Sequence, residues 1–496
     1  MSGSAPSLAQ RFNAGLAVAD SVLSRNAVWF GAVFALVAFQ IFLILSHQPW
    51  ADEYQALLIA TQAQSQAELL EWLRYEGHPP AWYWLLQALG TGLAQSWVLP
   101  AAALICAAIV QGVILFASPF TRLERLLLSS SQYVLFEFLT IARGTSLGVA
   151  LMTLCVMSWR TRWVWLLIAM LPLVDFLFGV ISGVFVLLQW RAGRLWWAGV
   201  VLWLAGGMFA AWTVIPAPDM ISASQAMQMA RGPMVWFTQI GSLPLPFQGG
   251  IAPQWNTPVA PIAGVAWIAM GWLCWALTRG HVWHRLMIFG FFGFTLLFSI
   301  VIYPIGLRHL MLGAFLLIVL VWLQRVNGDG RSGVFAGWLV LLALCGIASG
   351  IISTTRGFDS GDAVITEIKR RGLSEKHWIA LPEWRMPAIA GRSAIAFARP
   401  GQRCSQSFVR WNFETQALFS RKEFERLMRE EIAMHGRAYL LSDRAFTGFD
   451  RAILEQIAVI PAGYNGIEYF LYTVGKDAPE KSVKLPKCSD AASLAG

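Results

Sequence analysis

No lysine occurs before Thr355, and charged residues of every kind make up only 13% of the 496 positions. Soluble domains carry about a quarter charged residues, so this scarcity excludes an ordinary soluble globular chain. Cysteine is also sparse. Four of the six, Cys106, Cys155, Cys274 and Cys345, fall inside apolar segments, where a thiol behaves as a small apolar side chain. That distribution excludes a disulfide-framework protein, although Cys404 and Cys488, alone outside those segments, are free to pair in an oxidising compartment. No internal repeat is visible, which counts against a transporter assembled from inverted repeats. The net charge of +9 is spread as arginine over many loops, so it forms no concentrated footprint for nucleic acid.

What the chain has in abundance is apolar length. Hydrophobic residues account for 57% of the sequence and mean hydropathy is +0.56. Residues 1–26 read as a cytoplasmic N-terminus. The run 27–46 follows Arg11 and Arg25, lacks a small-residue cleavage pattern and reads as a retained first span. Further spans are expected at 98–117, 126–141, 142–159, 163–174, 175–190, 195–215, 257–278, 286–303, 308–324 and 333–354, about eleven crossings in all. The pair around Leu171-Pro172 and Asp175 is short enough for half-helices, and residues 81–96 read as a segment in the outer leaflet.

Short cytoplasmic loops carry the positive charge. Arg122 and Arg125, Arg160 and Arg162, Arg191 and Arg194, Arg279 to Arg285, and Arg325 to Arg331 then mark the inside. The outside keeps the first loop 47–80, Arg143, Asp175, the long segment 216–258 and Arg308-His309. After Thr355 the composition changes. Ser420-Arg-Lys-Glu423 is a capping box opening a helix to about His435, and Ala363–Arg371 has a helical pattern. Apolar runs at Trp378–Leu381, Ala438–Leu441, Ile457–Ile460 and Tyr469–Val474 read as strands. The expected architecture is a polytopic α-helical membrane domain over 27–354 with a soluble extracytoplasmic α/β domain over 355–496.

Four constellations could carry chemistry, and an ionisable cluster at a membrane edge is a functional-site hypothesis. Asp52-Glu53 opens a helical stretch, where acids either cap the helix dipole or serve as a general base. Glu76-Gly-His78-Pro-Pro sets an acid and an imidazole two apart in a rigid turn, suited to a divalent metal, a phosphosugar or hydrogen bonding by His78. Glu137 and Arg143 sit at the outer ends of successive spans, and Arg308-His309 lies at another outer edge. Guanidinium groups there bind an anion or snorkel to lipid headgroups.

The Asp-Glu pair in the first outer loop, His-Pro-Pro leading into Trp-Tyr-Trp-Leu-Leu, Ala-Arg-x-x-Ser-Leu and a later Arg-His-Leu resemble the GT-C superfamily of polyprenyl-phosphate-sugar-dependent glycosyltransferases. Protein O-mannosyltransferases and lipid A aminoarabinose transferases belong to that group. The resemblance spans about residues 27–325 and is strongest over Asp52–Leu86. It implies an inverting enzyme of the bacterial inner membrane, facing the periplasm, that moves a sugar from a polyprenyl-phosphate donor to a glycan, lipid or protein acceptor. By position Asp52 would be the base, Glu53 its neighbour in the site, and Arg143 and Arg308 would hold the donor phosphate. Glu76, His78, Glu137 and His309 would line the substrate site. Thr145 departs from the tyrosine common after the arginine, and the C-terminal domain matches no known sugar-binding module. The long outer loop Asp219–Pro258, rich in methionine and aromatics, is expected to close over the donor. A lipid or polysaccharide transporter and a non-catalytic envelope-assembly protein remain as rivals, separated from a transferase by whether Asp52, His78, Arg143 and Arg308 converge.

Overall fold

The structure is a computed structural model that describes residues 7–220, 232–247, 263–302, 304–400, 403–412, 419–481 and 485–488. Among these, five helices reach spanning length: Asn26–Ser46, Gln95–Ala117, Val282–Val301, Leu307–Val326 and Gly333–Arg356. At 1.5 Å per residue, about 20 residues match a hydrocarbon core about 30 Å thick. Shorter apolar helices, Gly144–Met157, Val164–Met170, Phe176–Arg191, Trp197–Thr213 and Ala263–Leu277, fill the rest of the bundle.

Burial follows composition. Between its polar ends, over Leu310–Leu323, the helix Leu307–Val326 is apolar all round and buried, as a central helix must be. Asn26–Ser46 buries Val33, Leu36 and Leu43 but exposes Phe30, Phe34 and Phe42, the pattern of a helix with one face in lipid. Its buried Gln40 donates to the Leu135 carbonyl (3.1 Å) and to Thr140 Oγ1 (3.2 Å), and accepts from Gln111 (3.2 Å). Those bonds satisfy a polar side chain where no water competes.

The expected span 126–141 is not one helix. Arg122–Ser129 is α-helical, the polar run Ser129–Ser131 interrupts it, and Ser131 caps a π-helical turn over Gln132–Phe138. Gly346 explains the tight packing there, because a Cβ on it would sit 2.3 Å from the Ser130 carbonyl oxygen. Of the two expected half-helices, Val164–Met170 is short and runs into a 3-10 turn at Pro172, whereas Phe176–Arg191 has 16 residues. Ala81–Gly90 has 10 residues, about 15 Å, too short to cross. About half of the long segment 216–258 lies outside the described residues. Its described part contains the helix Gly232–Ile240, anchored on the bundle by Trp236 donating to Thr295 (3.0 Å).

Loop contacts sort the bundle into two ends. At one, Arg122 reaches the Leu23 and Ser24 carbonyls, Arg331 pairs with Asp20, Arg325 with Glu124 and His281 with Asp329. Asp52, His78, Arg143, Asp175 and Arg308 gather at the other, together with the C-terminal domain.

That domain holds a six-stranded mixed sheet in the order β3-β2-β1-β4-β6-β5. The strands are β1 (Trp378–Ala380), β2 (Phe397–Ala398), β3 (Ser405–Gln406), β4 (Ala438–Ser442), β5 (Leu454–Ile460) and β6 (Tyr469–Val474). Strand β1 pairs in parallel with β2 and β4, and the other pairings are antiparallel. The two-residue strands β2 and β3 carry too little pattern to be read from sequence. Half of the expected capping box is seen among the described residues: Ser420 Oγ accepts from Glu423 N (3.2 Å) at the start of Arg421–His435. Cys404 and Cys488 are disulfide-bonded.

The domain is seated directly on the short helix that follows the first long one, Ala51–Gln62. The Gln55 amide donates to the Val409 carbonyl (2.7 Å) and accepts from Val409 N (2.9 Å), imitating a strand pairing. Gln62 bonds Ser407, and Gly391 lies so close to Tyr54 that an added Cβ would fall 2.0 Å from the ring. Arg392 covers the same ring at 5.0 Å.

Candidate functional site

The site starts from a local fact about helices. Successive residues differ by about 100° around the axis, so two adjacent acids cannot face the same way. Glu53 turns inward and is fully buried. Its carboxylate accepts from Trp50 N (3.1 Å) and Ala142 N (2.7 Å) and contacts His47 Nε2 at 2.9 Å, so it caps its own helix and ties it to the segment leading into Arg143. Asp52 turns outward, with 37% of its side chain exposed. Of the two acids it is Glu53 that caps the helix, which leaves Asp52 facing outward from it.

Two cations meet Asp52. Arg143 precedes the helix Gly144–Met157 and Arg308 sits in the first turn of Leu307–Val326; each brings Nη1 to 3.0 Å from Asp52 Oδ2. Arg308 makes an aligned hydrogen bond, whereas Arg143 Nη1 is buried and unaligned. The Trp50 ring lies beneath both, 5.7 and 5.9 Å from the two guanidinium carbons. Cations at helix N-termini oppose the helix dipole, so this pairing is held by the anion between them. Together the two guanidiniums and two helix N-termini concentrate positive charge around Asp52 at this end of the bundle.

Asp52 and Arg308 open onto a cavity of about 400 Å³, with His309, Trp50, Gln55 and Gln239 on the membrane side. Its other wall comes from the C-terminal domain: Trp384, Arg385, Pro387, Val409 and Trp411. The Trp384 and Trp411 rings are nearly parallel (18°) with centroids 6.3 Å apart, and Arg385 is held by Asp443 at 2.8 Å. None of these domain residues was singled out from sequence.

Glu76 braces this wall. Gln55 donates to it at 2.7 Å and Trp411 also hydrogen-bonds it, so one carboxyl links the first helix to the domain. Burial pushes its pKa up to about 8 from 4.5, against the opposing effect of those bonds. A carboxyl raised in the fold binds a proton that the unfolded chain has released. Its stabilising contribution is therefore complete below about pH 4.5 and is lost as pH rises through about 8. Glu76→Gln should flatten the decline of the thermal midpoint between those limits. Parallel pH profiles for the variant and the parent chain would refute a protonated Glu76.

His78 follows Gly77, whose φ of +67° ends the helix Gln66–Glu76 in a left-handed cap. Its Nδ1 bonds the Glu76 carbonyl (2.9 Å) and its Nε2 lies 3.7 Å from Asp175 Oδ2. Asp175, given no role from sequence, accepts from Leu177 N to start the helix Phe176–Arg191 and is close enough to Arg143 to feel its charge. His309 lines the cavity with Nδ1 buried and unbonded among the described residues. Glu137 is buried in the π-helical turn and is not among the cavity's lining residues, and Arg143 pairs with Asp52 in its place. Among the described residues, the group of three metal-capable side chains lies away from Glu76 and His78, in the C-terminal domain.

The fold and site define a polytopic helical membrane protein whose cavity, at one end of the bundle and roofed by the C-terminal α/β domain, lies beside an acid held between two arginines. No protein-family model matches the chain, and no curated protein sequence matches it. Among solved structures, ArnT from Cupriavidus metallidurans bound to undecaprenyl phosphate superposes with a TM-score of 0.50 at 12% identity, covering 92% of this chain and 100% of that one. The apo form of the same protein gives a TM-score of 0.50 at 11% identity, covering 93% and 100%. The chain thus shares the ArnT fold over nearly its whole length, and the resemblance to the GT-C superfamily drawn from the loop motifs is met at the level of fold.

Proposed function

We propose that this protein is an inverting glycosyltransferase that takes a sugar from a polyprenyl-phosphate donor and transfers it to an acceptor at the outer face of the cytoplasmic membrane. The observation that carries the reading is the shared contact of Asp52 with Arg143 and Arg308 at 3.0 Å, at the mouth of a cavity in a chain with the fold of an undecaprenyl-phosphate-bound protein. In this arrangement Asp52 occupies both guanidiniums. A donor phosphate competes for them, and its arrival releases the Asp52 carboxylate toward the acceptor hydroxyl. The acceptor oxygen then attacks the anomeric carbon, the bond from that carbon to the phosphate oxygen breaks, and the acceptor proton passes to Asp52. The lipid phosphate leaves with its charge neutralised by the two arginines, which fixed cations in a water-poor site do better than water. Because one displacement occurs, configuration inverts.

Trp384 and Trp411 give the domain wall flat apolar faces of the kind on which sugar rings stack, so the C-terminal domain shapes the acceptor side of the cavity. His309 and His78 flank the donor side, and His78 acts by hydrogen bonding through Asp175. Glu53, Glu76 and Glu137 support the site from buried positions. The long outer loop 216–258 is proposed to cover the donor chain. The most direct test is mass spectrometry of lipid copurifying with the protein: a polyprenyl phosphate or its sugar ester is expected, and copurification of ordinary phospholipid alone, with no binding of added undecaprenyl phosphate, would remove the donor assignment.

Orientation follows from the same reading. The arginines that gather at one end of the bundle, Arg122, Arg325 and Arg331 among them, mark that end as cytoplasmic by the positive-inside bias, which would put the Asp52 site at the periplasmic end. Cysteine placed at Glu468 should react with an impermeant thiol reagent in intact spheroplasts, and cysteine at Asn327 should not. The reverse labelling pattern would turn the site to the cytoplasm and admit a nucleotide-sugar donor.

A further inference from the structure

Helix Arg421–His435 packs on the sheet through Phe424, Leu427 and Met428, and the next position on that buried stripe is Glu431, which is fully buried. An ionised carboxylate on the core face of a helix is strongly destabilising unless paired. Here two imidazoles face it. His377 Nε2 lies 2.6 Å from Glu431 Oε1, and His435 Nε2 lies 3.9 Å from the same oxygen. The second distance is too long for a hydrogen bond, and the His435 Nε2 atom is buried with no hydrogen-bond partner among the described residues. Two nitrogens and a carboxylate oxygen thus converge within 4.8 Å of one another, with one nitrogen unsatisfied.

We propose that His377, Glu431 and His435 form a zinc-class metal site that braces the C-terminal domain. Its ligands come from elements that already hold their positions. Glu431 and His435 are four apart and so share one helix face. His377 is fixed just before β1, where its carbonyl accepts from Tyr439 N at 2.9 Å. A tetrahedral zinc with bonds of about 2.0–2.2 Å separates its ligands by roughly 3.4 Å, a value between the two distances observed. Small side-chain rotations therefore close the site, leaving a fourth position for water. Arg403 and Lys481 place positive charge near His435. That field opposes any divalent cation alike, so the preference for a zinc-class metal over magnesium rests on the two imidazole nitrogens. The brace joins the end of the helix to the start of β1, the strand that leads into the turn bearing Trp384 and Arg385. It is separate from the Asp52 cavity, so its role is structural and independent of the transfer reading.

The test uses the full-length protein in detergent, stripped with chelator and then returned to zinc, magnesium or cobalt. One zinc per chain is expected by elemental analysis, with a thermal midpoint several degrees higher at zinc well above its Kd. Cobalt should produce the visible absorption of a tetrahedral nitrogen and oxygen site. His435→Gln and His377→Gln, examined as soluble folded protein, should lose the zinc-dependent shift, whereas magnesium should leave the parent chain unchanged. Absence of retained zinc and of any zinc-dependent shift in the parent chain overturns the proposal without recourse to a variant. An equal response to magnesium, or full zinc binding in both variants, overturns it as well.

Discussion

Asp52→Asn is expected to reduce sugar transfer by about 10²–10⁴-fold, the usual contribution of a positioned general base. The substitution keeps shape and removes only proton affinity and charge. Its effect on the donor should be opposite in sign. Because Asp52 holds both guanidiniums at 3.0 Å, removing its charge frees them, and undecaprenyl phosphate should bind at least as tightly as to the parent chain. Rate and affinity therefore separate. Equilibrium binding of the lipid phosphate together with single-turnover transfer checks both, and an Asp52→Asn variant that retains full transfer ends the assignment. Glu53→Gln acts elsewhere. Glu53 accepts from Trp50 N and Ala142 N and contacts His47, so its loss should lower the thermal midpoint more than the turnover of the molecules that remain folded.

The different reach of local and distant information explains what could be read before the structure. Membrane helices are legible because twenty apolar residues in a row have few alternatives, and the arginines at their ends sort the loops onto two faces. The first outer loop is legible because Asp52, Glu53, Glu76 and His78 are near in sequence and conspicuous against an uncharged background. Pairing across the chain is not. Asp52 and Arg308 are 256 positions apart, and only the extra cost of an arginine at an outer helix end hinted that the two belong together. Gln55 and Val409 are 354 positions apart, and nothing in the run around Val409 and Trp411 marks it as a cavity wall. Trp384 and Arg385 follow a strand with no charge pattern of their own. The division of Asp52 from Glu53 needed the helix to be placed, because spacing says that they diverge but not which one faces water. Breaks in apolar runs are hidden too. The segment 126–141 satisfies a hydropathy window while Ser129–Ser131 and the approach of Gly346 end its α-helix.

Removing either arginine should show which part of the cavity recognises phosphate. Arg143→Ala and Arg308→Ala are each expected to lower transfer by about 10²–10³-fold, the effect of losing one preorganised group that stabilises developing charge. They should differ in detail. Arg308 already spends an aligned hydrogen bond on Asp52, while Arg143 Nη1 is buried, close and unaligned, so Arg143 is the readier to turn to an incoming phosphate. Arg143→Ala should therefore weaken undecaprenyl phosphate binding more than Arg308→Ala does. Arg308→Ala should instead leave Asp52 with a single cation and show the larger loss in the chemical step. Lysine at either position should restore only part, because it supplies charge without the planar fork that grips two oxygens. Combining Arg308→Ala with Asp52→Asn should cost less than the sum of the two, since both disturb one shared contact. Strict additivity would mean that the contact at 3.0 Å has no energetic meaning. If both single variants bind the lipid phosphate like the parent chain, the arginines serve only to balance Asp52, and the donor must be recognised elsewhere in the cavity.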